Sequence, residues 1–429
     1  MIRYRTALMA AKGAQSLGRM LGGHGSALPG LIAETICPDF LAITGRRAFS
    51  DGVIIVTGTN GKTTTTRLLV ELLRSKNKRV LTNASGSNLS RGIISTFVEH
   101  MGFSGAMDAD VAVLEIDEAY APRIAEYMQP DIFLALNVLR DQLDRYGEID
   151  TTARLIARAA KHAKHIFVNG DDGLLLQRIT EIKDPRHFTT VGFAPKLQAT
   201  LVTEASLYGT NIDAKKSTVL ITSVNQGEES QRVALQIEQK KFAFTLPLLG
   251  IHNAFNATMA AAAASRVVGD VYNELNELYK DASPAFGRGE TMKIGDHEVT
   301  VALVKNPAGF TQNLTTFVKP TIGAVCIVIN DNYADGRDVS WLWDAQVSKL
   351  KTFEGPIYIA GSRKYDMALR CKYEGIPFIV LDGTDVTTSL KSLFVRTDWS
   401  GHLLIVPTYT AMLTVRKWLG KKLGAKKIW

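Results

Sequence analysis

Apolar positions along the chain run in two rhythms. From Gly52 onward, unbroken apolar stretches (Val53-Ile54-Ile55-Val56, Val111-Ala112-Val113-Leu114, Ile132-Phe133-Leu134-Ala135-Leu136, Ile166-Phe167-Val168) alternate with helical spacing such as Thr63 to Ser75. A strand without polar positions has both faces covered, so this succession predicts a parallel sheet between two helical layers, an α/β core. Between about Thr189 and Gln239 the period drops to two, in Ser217 to Thr222 and Gln231 to Leu235, with a polar turn at Asn225-Gln226-Gly227. That stretch predicts a β-rich insertion, about 189–240, and an alanine-rich helix follows from Asn253 to Val268. After Pro284 a second series (Val299 to Val304, Gly323 to Ile329, Pro356 to Ala360, Phe378 to Leu381, Leu403 to Val406) has the spacing of a smaller Rossmann-like domain.

Residues 1 to about 47 read as a helix from Arg5 to Leu21, a turn at Gly22-Gly23-His24-Gly25 and a short helix from Pro29. Arg3, Arg5, Lys12 and Arg19 make this segment basic and amphipathic. Covering a sheet edge is the favoured reading of such a helix, ahead of lying on an anionic membrane. The expected division is 1–47, 48–285 and 286–429, with the second boundary near Ser283 to Glu290.

The length of 429 residues agrees with more than one domain. With 46% hydrophobic and 21% charged residues and no repeat or Pro/Ser tract, disordered and fibrous classes are excluded. A net charge of +8 does not choose among partners, but basic residues are not interleaved with aromatics along one element, so no nucleic-acid role is expected. The three cysteines, Cys37, Cys326 and Cys371, lie far apart and form no C-x-x-C pair, which argues against a disulfide framework and for a reducing, cytoplasmic setting. The longest apolar run, Ala257 to Ala264, is too short to span a membrane.

The first strand runs into Thr57-Gly58-Thr59-Asn60-Gly61-Lys62-Thr63-Thr64, which opens a helix. Glycines let backbone N–H groups approach phosphate oxygens, and the helix N-terminus favours negative charge there. Lys62 can meet the β/γ-phosphates and Thr63 can hold Mg²⁺. Val56 stands where the full G-x-x-x-x-G-K-[ST] pattern has its first glycine. ATP and Mg²⁺ are therefore the expected ligands, with Gly58, Thr59, Asn60, Gly61, Lys62, Thr63 and Thr64 around the phosphates.

This loop resembles the signature of the Mur ligases, the ATP-dependent amide-forming enzymes of peptidoglycan synthesis, and of folylpolyglutamate synthase. Three further segments agree in order. Leu249 to Asn256, including His252 and Asn253, resembles the segment entering the family's alanine-rich helix; Leu114-Glu115 resembles its acidic Mg²⁺ ligand; Phe286 to Glu290 resembles its linker, which bears Arg288. Finer spelling resembles the MurT branch: Thr82 to Leu89, Glu115-Ile116-Asp117-Glu118-Ala119, Leu139 to Asp150, Asn332 to Trp341 and Pro407 to Leu413.

The resemblance implies the ligase subunit of a lipid II isoglutaminyl synthase. Such a subunit phosphorylates the α-carboxylate of D-glutamate in the lipid II stem peptide, and ammonia from a GatD-type glutaminase converts it to D-isoglutamine. It implies a heterodimer or higher assembly with that glutaminase, lipid II as substrate, and a cytoplasmic protein acting at the inner face of the cell membrane. Peripheral membrane contact is compatible with Lys421, Lys422, Lys426, Lys427 and Trp429, although a solvated helix face is the favoured reading of that run. The rival reading is a stand-alone Mur or folylpolyglutamate-type amino acid ligase.

Three departures from the broader family bear on these implications. Gln142 stands where ordinary Mur ligases carry a histidine, and the helix after Gly147 has no lysine before Lys161 to be carbamylated. Residues 195–245 contain no cysteine, so the zinc ribbon of many MurT proteins cannot form and zinc is not expected. Asn306 falls where relatives place an acidic ribose ligand, and is kept as a nucleotide contact. In the MurT branch a C-terminal aspartate completes the partner's Cys-His pair, as the third member of a triad orients an imidazole. Asp338 is the expected residue and Asp335 the reserve, within the cluster Asp331, Asp335, Asp338 and Asp344. Taken as local chemistry alone, these carboxylates read as helix caps and solvated charges.

Overall fold

A computed structural model describes residues 2–20, 27–45, 48–83, 90–140, 149–198 and 217–422. The turn at Gly22 to Gly25, the segment Ser85 to Leu89, Gln142 and the terminal Lys426, Lys427 and Trp429 lie outside the described residues.

The apolar stretches become strands because each is covered on both faces. β1 (Val53–Thr57), β3 (Val111–Glu115) and β4 (Ile132–Ala135) are buried at every position. With β2 (Val80–Thr82), β5 (His165–Asn169), β6 (Phe188–Phe193), β7 (Val219–Gln226), β8 (Gln231–Ile237) and β9 (Lys240–Leu246) they form a nine-stranded sheet. Its order is β2-β3-β1-β4-β5-β6-β7-β8-β9. Pairing is parallel as far as β7 and antiparallel from β7 to β9. The period-two stretch thus extends the edge of the parallel sheet rather than folding apart, and its alternation reflects a one-sided core: Val233, Leu235, Phe244 and Leu246 point inward.

On one face the helices Lys62–Ser75 and Ile251–Val268 pack against each other and the sheet. Alanines 260 to 264 are buried, and their small side chains let that helix approach its neighbours closely. On the other face lie the helices Ser90–His100, Ala121–Met128 and Ile149–Ala160. The N-terminal helix, Ile2–Met20, packs against Leu28–Ile36 and Ser90–His100 as an outer layer, not along a sheet edge as expected.

The second sheet has the order β10-β11-β15-β12-β13-β14: β10 (Arg288–Ile294), β11 (His297–Ala302), β12 (Ile322–Val328), β13 (Ile357–Ala360), β14 (Ile379–Val380) and β15 (His402–Pro407). It is parallel except for the β10–β11 hairpin. β10 has no fully buried residue, so its sequence carries no apolar run and reads as linker. The C-terminal end of β11 leads through Lys305 and Asn306 into the helix Pro307–Phe317, and this corner meets the loop after β1.

Candidate active site

The loop after β1 is shaped by two glycines with positive φ, +134° at Gly58 and +91° at Gly61. A Cβ on Gly61 would lie 2.5 Å from Asn256 Oδ1, and one on Gly58 would lie 2.9 Å from the Asn137 backbone nitrogen, so neither position accepts a larger residue. Asn137, just past β4, clamps the loop from below. Its Oδ1 accepts from the Asn60 N–H at 2.8 Å, its Nδ2 donates to the Asn60 carbonyl at 2.9 Å, and its own carbonyl accepts from the Thr59 N–H at 3.0 Å. The Thr59 hydroxyl accepts from the Leu139 N–H at 3.1 Å. The helix Lys62–Ser75 then starts with no side-chain cap on its first turn, which leaves its N-terminal N–H groups aimed at the loop. That is an anion cradle.

Lys62 is buried. Its Nζ donates to the Gly58 carbonyl at 2.6 Å and to Glu118 Oε2 at 3.0 Å, with 12% of the Lys62 side chain and 7% of the Glu118 side chain exposed. Burial works against its charge, but Glu118, Asp117 and Glu115 outweigh burial and hold the ammonium above its ordinary pKa. Burial likewise opposes the charge on Glu118, and Lys62 with Lys305 keeps that carboxyl below the usual range. The pair is ionised at neutral pH. At the next residue, the Thr63 hydroxyl donates to Glu115 Oε1 at 3.1 Å. Asn83 fixes Glu115 by exchanging two bonds with its backbone, 2.8 Å to the carbonyl and 2.9 Å from the N–H. A hydroxyl and a carboxylate oxygen side by side are hard ligands that fit Mg²⁺, with the remaining positions left to phosphate oxygens and water.

The second sheet closes over this loop. Lys305 Nζ donates to the Thr59 carbonyl at 3.0 Å. Asn60 and Asn306 exchange side-chain bonds of 3.2 and 3.1 Å. Asn306 is fully buried, and the same Oδ1 accepts from the Gly309 N–H at 2.8 Å, capping the helix Pro307–Phe317. Arg140 bonds Asp344 at 3.1 Å, and Arg67 reaches Ser283 Oγ at 2.6 Å and the Pro284 carbonyl at 3.1 Å, where the chain passes between the sheets.

A cavity of about 330 Å³ lies at this junction. Thr59, Asn60, Gly61, Lys62, Thr64, Glu115, Asn253, Arg288 and Asn306, all expected from the sequence, line it. Phe193 and Phe255, ring centroids 6.0 Å apart, also line it, as do Asn169, Asp171 and Asp172. Aromatic side chains together with a few polar groups suit a flat heteroaromatic ring. His252 also lines the cavity. Burial pushes its pKa down to about 4, so it is neutral, and its buried Nδ1 has no hydrogen-bond partner among the described residues. The uncapped helix start and this lone ring nitrogen both suit a bound nucleotide.

The two expected C-terminal aspartates do not line this cavity. Asp335 is buried, and its carboxylate accepts from the Thr410 N–H at 2.7 Å, the Asn332 N–H at 3.1 Å and the Thr410 hydroxyl. It ties the loop after β12 to the start of the helix Tyr409–Lys422. Asp338 is half-buried and accepts from the Ser340 N–H at 2.8 Å and the Ser340 hydroxyl at 2.9 Å. Asp331 accepts from Ser362 Oγ at 2.9 Å.

Sequence reasoning gave no role to Asn137, Asp172, Glu118 or Lys305. Glu118 lies three residues after Glu115 in the segment Glu115 to Ala119, and Lys305 immediately precedes Asn306. Asp172 follows β5 and bonds the Val138 N–H at 2.7 Å and the Leu175 N–H at 3.0 Å; burial raises its pKa to about 6. Only the position of Asn137 and Asp172 after apolar strands, where parallel sheets place ligands, could have flagged them.

Residues 56–264 match the family model of the Mur ligase middle domain, and residues 303–412 that of the MurT ligase C-terminal domain. The chain is 32% identical to the lipid II isoglutaminyl synthase (glutamine-hydrolyzing) subunit MurT of Streptococcus pneumoniae, covering 94% of each chain. It is 27% identical to the Staphylococcus aureus subunit of the same name, covering 98% of each. Among solved structures it resembles MurF of Acinetobacter baumannii (TM-score 0.69, 18% identity, 91% of this chain and 80% of that one). It also resembles folylpolyglutamate synthase of Mycobacterium tuberculosis complexed with ADP and AMPPCP (TM-score 0.65, 16% identity, 89% and 93%). At these identities the solved structures speak for the fold.

Proposed function

The chain belongs to the Mur ligase family, on its MurT branch, and from that premise we propose that it is the ATP-dependent ligase subunit of a lipid II isoglutaminyl synthase. The observation that carries the reading is the cavity itself: an anion cradle, a buried lysine and a Thr63–Glu115 oxygen pair, closed by the second sheet through Asn60 and Asn306.

In this reading ATP lies with its base against Phe193 and Phe255 and its phosphates on Gly58 to Thr64. The α-carboxylate of the stem-peptide D-glutamate attacks the γ-phosphorus; a carboxylate oxygen–phosphorus bond forms and ADP leaves. Ammonia then attacks the acyl carbon, inorganic phosphate departs, and loss of a proton leaves the amide. Lys62 stabilises charge on the transferring phosphoryl group once phosphate oxygens replace Glu118 as its partner. Mg²⁺, held by Thr63 and Glu115, would neutralise further charge there. Arg288 enters the cavity from the second sheet and suits an anionic group, on the nucleotide or on the substrate. A division at residue 285 would put the lining residues Thr59 to Asn256 in one domain and Arg288 to Asn313 in the other.

The ammonia source is a GatD-type glutaminase, since the chain's three cysteines are all buried. Support for a partner on the second sheet comes from its surface. Tyr365, Leu369 and Tyr373 recur at every fourth position of the helix Lys364–Glu374 and are 69%, 46% and 75% exposed. Trp343, three residues beyond Ser340, stacks edge-on against Tyr373 at 5.5 Å. An aromatic stripe of this kind is typical of the anchor residues of protein interfaces. In this reading Asp338, five residues before Trp343, orients an imidazole from the partner; Asp335, which accepts from Thr410 and Asn332, holds that loop. Work on a lipid-linked substrate sets the reaction at the inner face of the cell membrane.

Substituting hydroxylamine for ammonia tests the acyl-phosphate step. The expected product is the stem-peptide hydroxamate with one ADP per hydroxamate; AMP in place of ADP would replace phosphoryl transfer with adenylation.

A further inference from the structure

The exposed side of the N-terminal helix has the chemistry of a lipid headgroup surface. The first 33 residues include Arg3, Arg5, Lys12 and Arg19 and no Asp or Glu; the first acidic residue is Glu34. Glu34 is itself paired with Arg91 at 3.0 Å. The helix Ile2–Met20 buries Ala7, Leu8 and Ala11 against its neighbours, yet Ile2, Met9 and Leu17 are 85%, 51% and 58% exposed. At 3.6 residues per turn, Ile2, Thr6, Met9, Gly13 and Leu17 fall in one band roughly 80° wide, with Arg5 and Lys12 along one margin and Arg3 along the other. Next to it, Phe103 is 70% exposed with Lys12 Nζ 5.3 Å from its ring centre, and the following helix adds Leu28 and Leu31, 48% and 37% exposed.

We propose that this face docks in the plane of an anionic bilayer, with the apolar band at the acyl boundary and Arg3, Arg5 and Lys12 among the headgroups. Charge complementarity selects lipid: an apolar band flanked by cations, with no carboxylate in the first 33 residues, is matched by a continuous anionic layer with hydrocarbon beneath it. A second copy of this chain would set cation against cation. Among the described residues no helix is long and apolar enough to cross a membrane. The inference deepens the reading of a lipid-linked substrate: a docked chain meets that substrate in two dimensions.

The test is co-sedimentation of the full chain, assembled with its glutaminase, with vesicles of phosphatidylcholine alone or with phosphatidylglycerol added, none containing the substrate. The expected result is at least tenfold tighter binding to the anionic vesicles, lost in high salt. The triple variant Arg5→Glu, Met9→Ser, Leu17→Ser should lose at least tenfold in that binding while Tm and circular dichroism stay unchanged, because all three side chains are exposed. Absence of a lipid preference, or a variant that binds as well as the parent, overturns the proposal. Failure here with amidation of detergent-solubilised substrate intact would remove the docking face and leave the proposed reaction standing.

Discussion

Asn60 and Asn306, 246 residues apart, exchange two side-chain hydrogen bonds of 3.2 and 3.1 Å across the junction of the two sheets. Neither amide carries a charge, so the contact is directional without the desolvation cost of a buried ion pair. Asn306 also starts its own helix, which makes one residue answerable for both the closure of the cavity and the local fold.

Asn306→Ala should therefore cost about 1–3 kcal/mol of stability, from the lost cap and an unsatisfied Asn60 amide. It should also raise KM for ATP several-fold with a smaller change in kcat. Thermal unfolding and steady-state kinetics check both parts; an unchanged KM would mean that the closure does not serve the nucleotide.

Lys62→Ala is expected to lower kcat for amidation by about 10²- to 10³-fold, the usual worth of one donor aimed at developing charge. It strands a buried Glu118 carboxylate, so the double variant Lys62→Ala, Glu118→Gln should recover stability by about 1–3 kcal/mol and recover no activity. Recovery of activity would reassign Lys62 from transition-state stabilisation to structure.

Burial pushes both His165 and His252 down to about 4 from an ordinary 6.5. Below pH 6.5 the unfolded chain takes up protons that the folded chain refuses, so the stability tied to the neutral rings is present above that pH and is lost as pH falls towards about 4. Denaturant midpoints should drop between pH 7 and 5, and His165→Asn should flatten that drop. Equal slopes in variant and parent would contradict the assignment.

Tyr365→Ser with Tyr373→Ser should weaken the complex with the glutaminase at least tenfold, while amidation driven by free ammonium stays at the parent level. Asp338→Asn should leave both the complex and ammonium-driven amidation intact and cut glutamine-driven turnover. Parallel loss of the two nitrogen sources would place Asp338 in the ligase reaction instead.

Much of the frame was legible because buried parallel strands write themselves as apolar runs: Val53 to Val56, Val111 to Leu114 and Ile132 to Ala135 all became strands. The phosphate loop was legible for a different reason, since Gly58 and Gly61 have backbone conformations and neighbours that only glycine accepts. β10 escaped because an edge strand with no fully buried position leaves no hydrophobic signature. Asn137 and Asp172 escaped because their roles lie in bonds to backbone groups distant in sequence, Asn60 and Val138, and single polar residues after strands carry no period. Asp335 shows the reverse limit: its neighbours in sequence made it a candidate for chemistry, and only Thr410, 75 residues on, explains its burial.

The central claim is tested most directly by weighing lipid II after incubation with the chain, ATP, Mg²⁺ and glutamine, with and without the glutaminase. The account expects replacement of a stem-peptide hydroxyl by an amino group, a loss of about 1 Da, only when both subunits are present. Gain of a whole amino acid residue, or the same amidation from glutamine by the single chain, would contradict it.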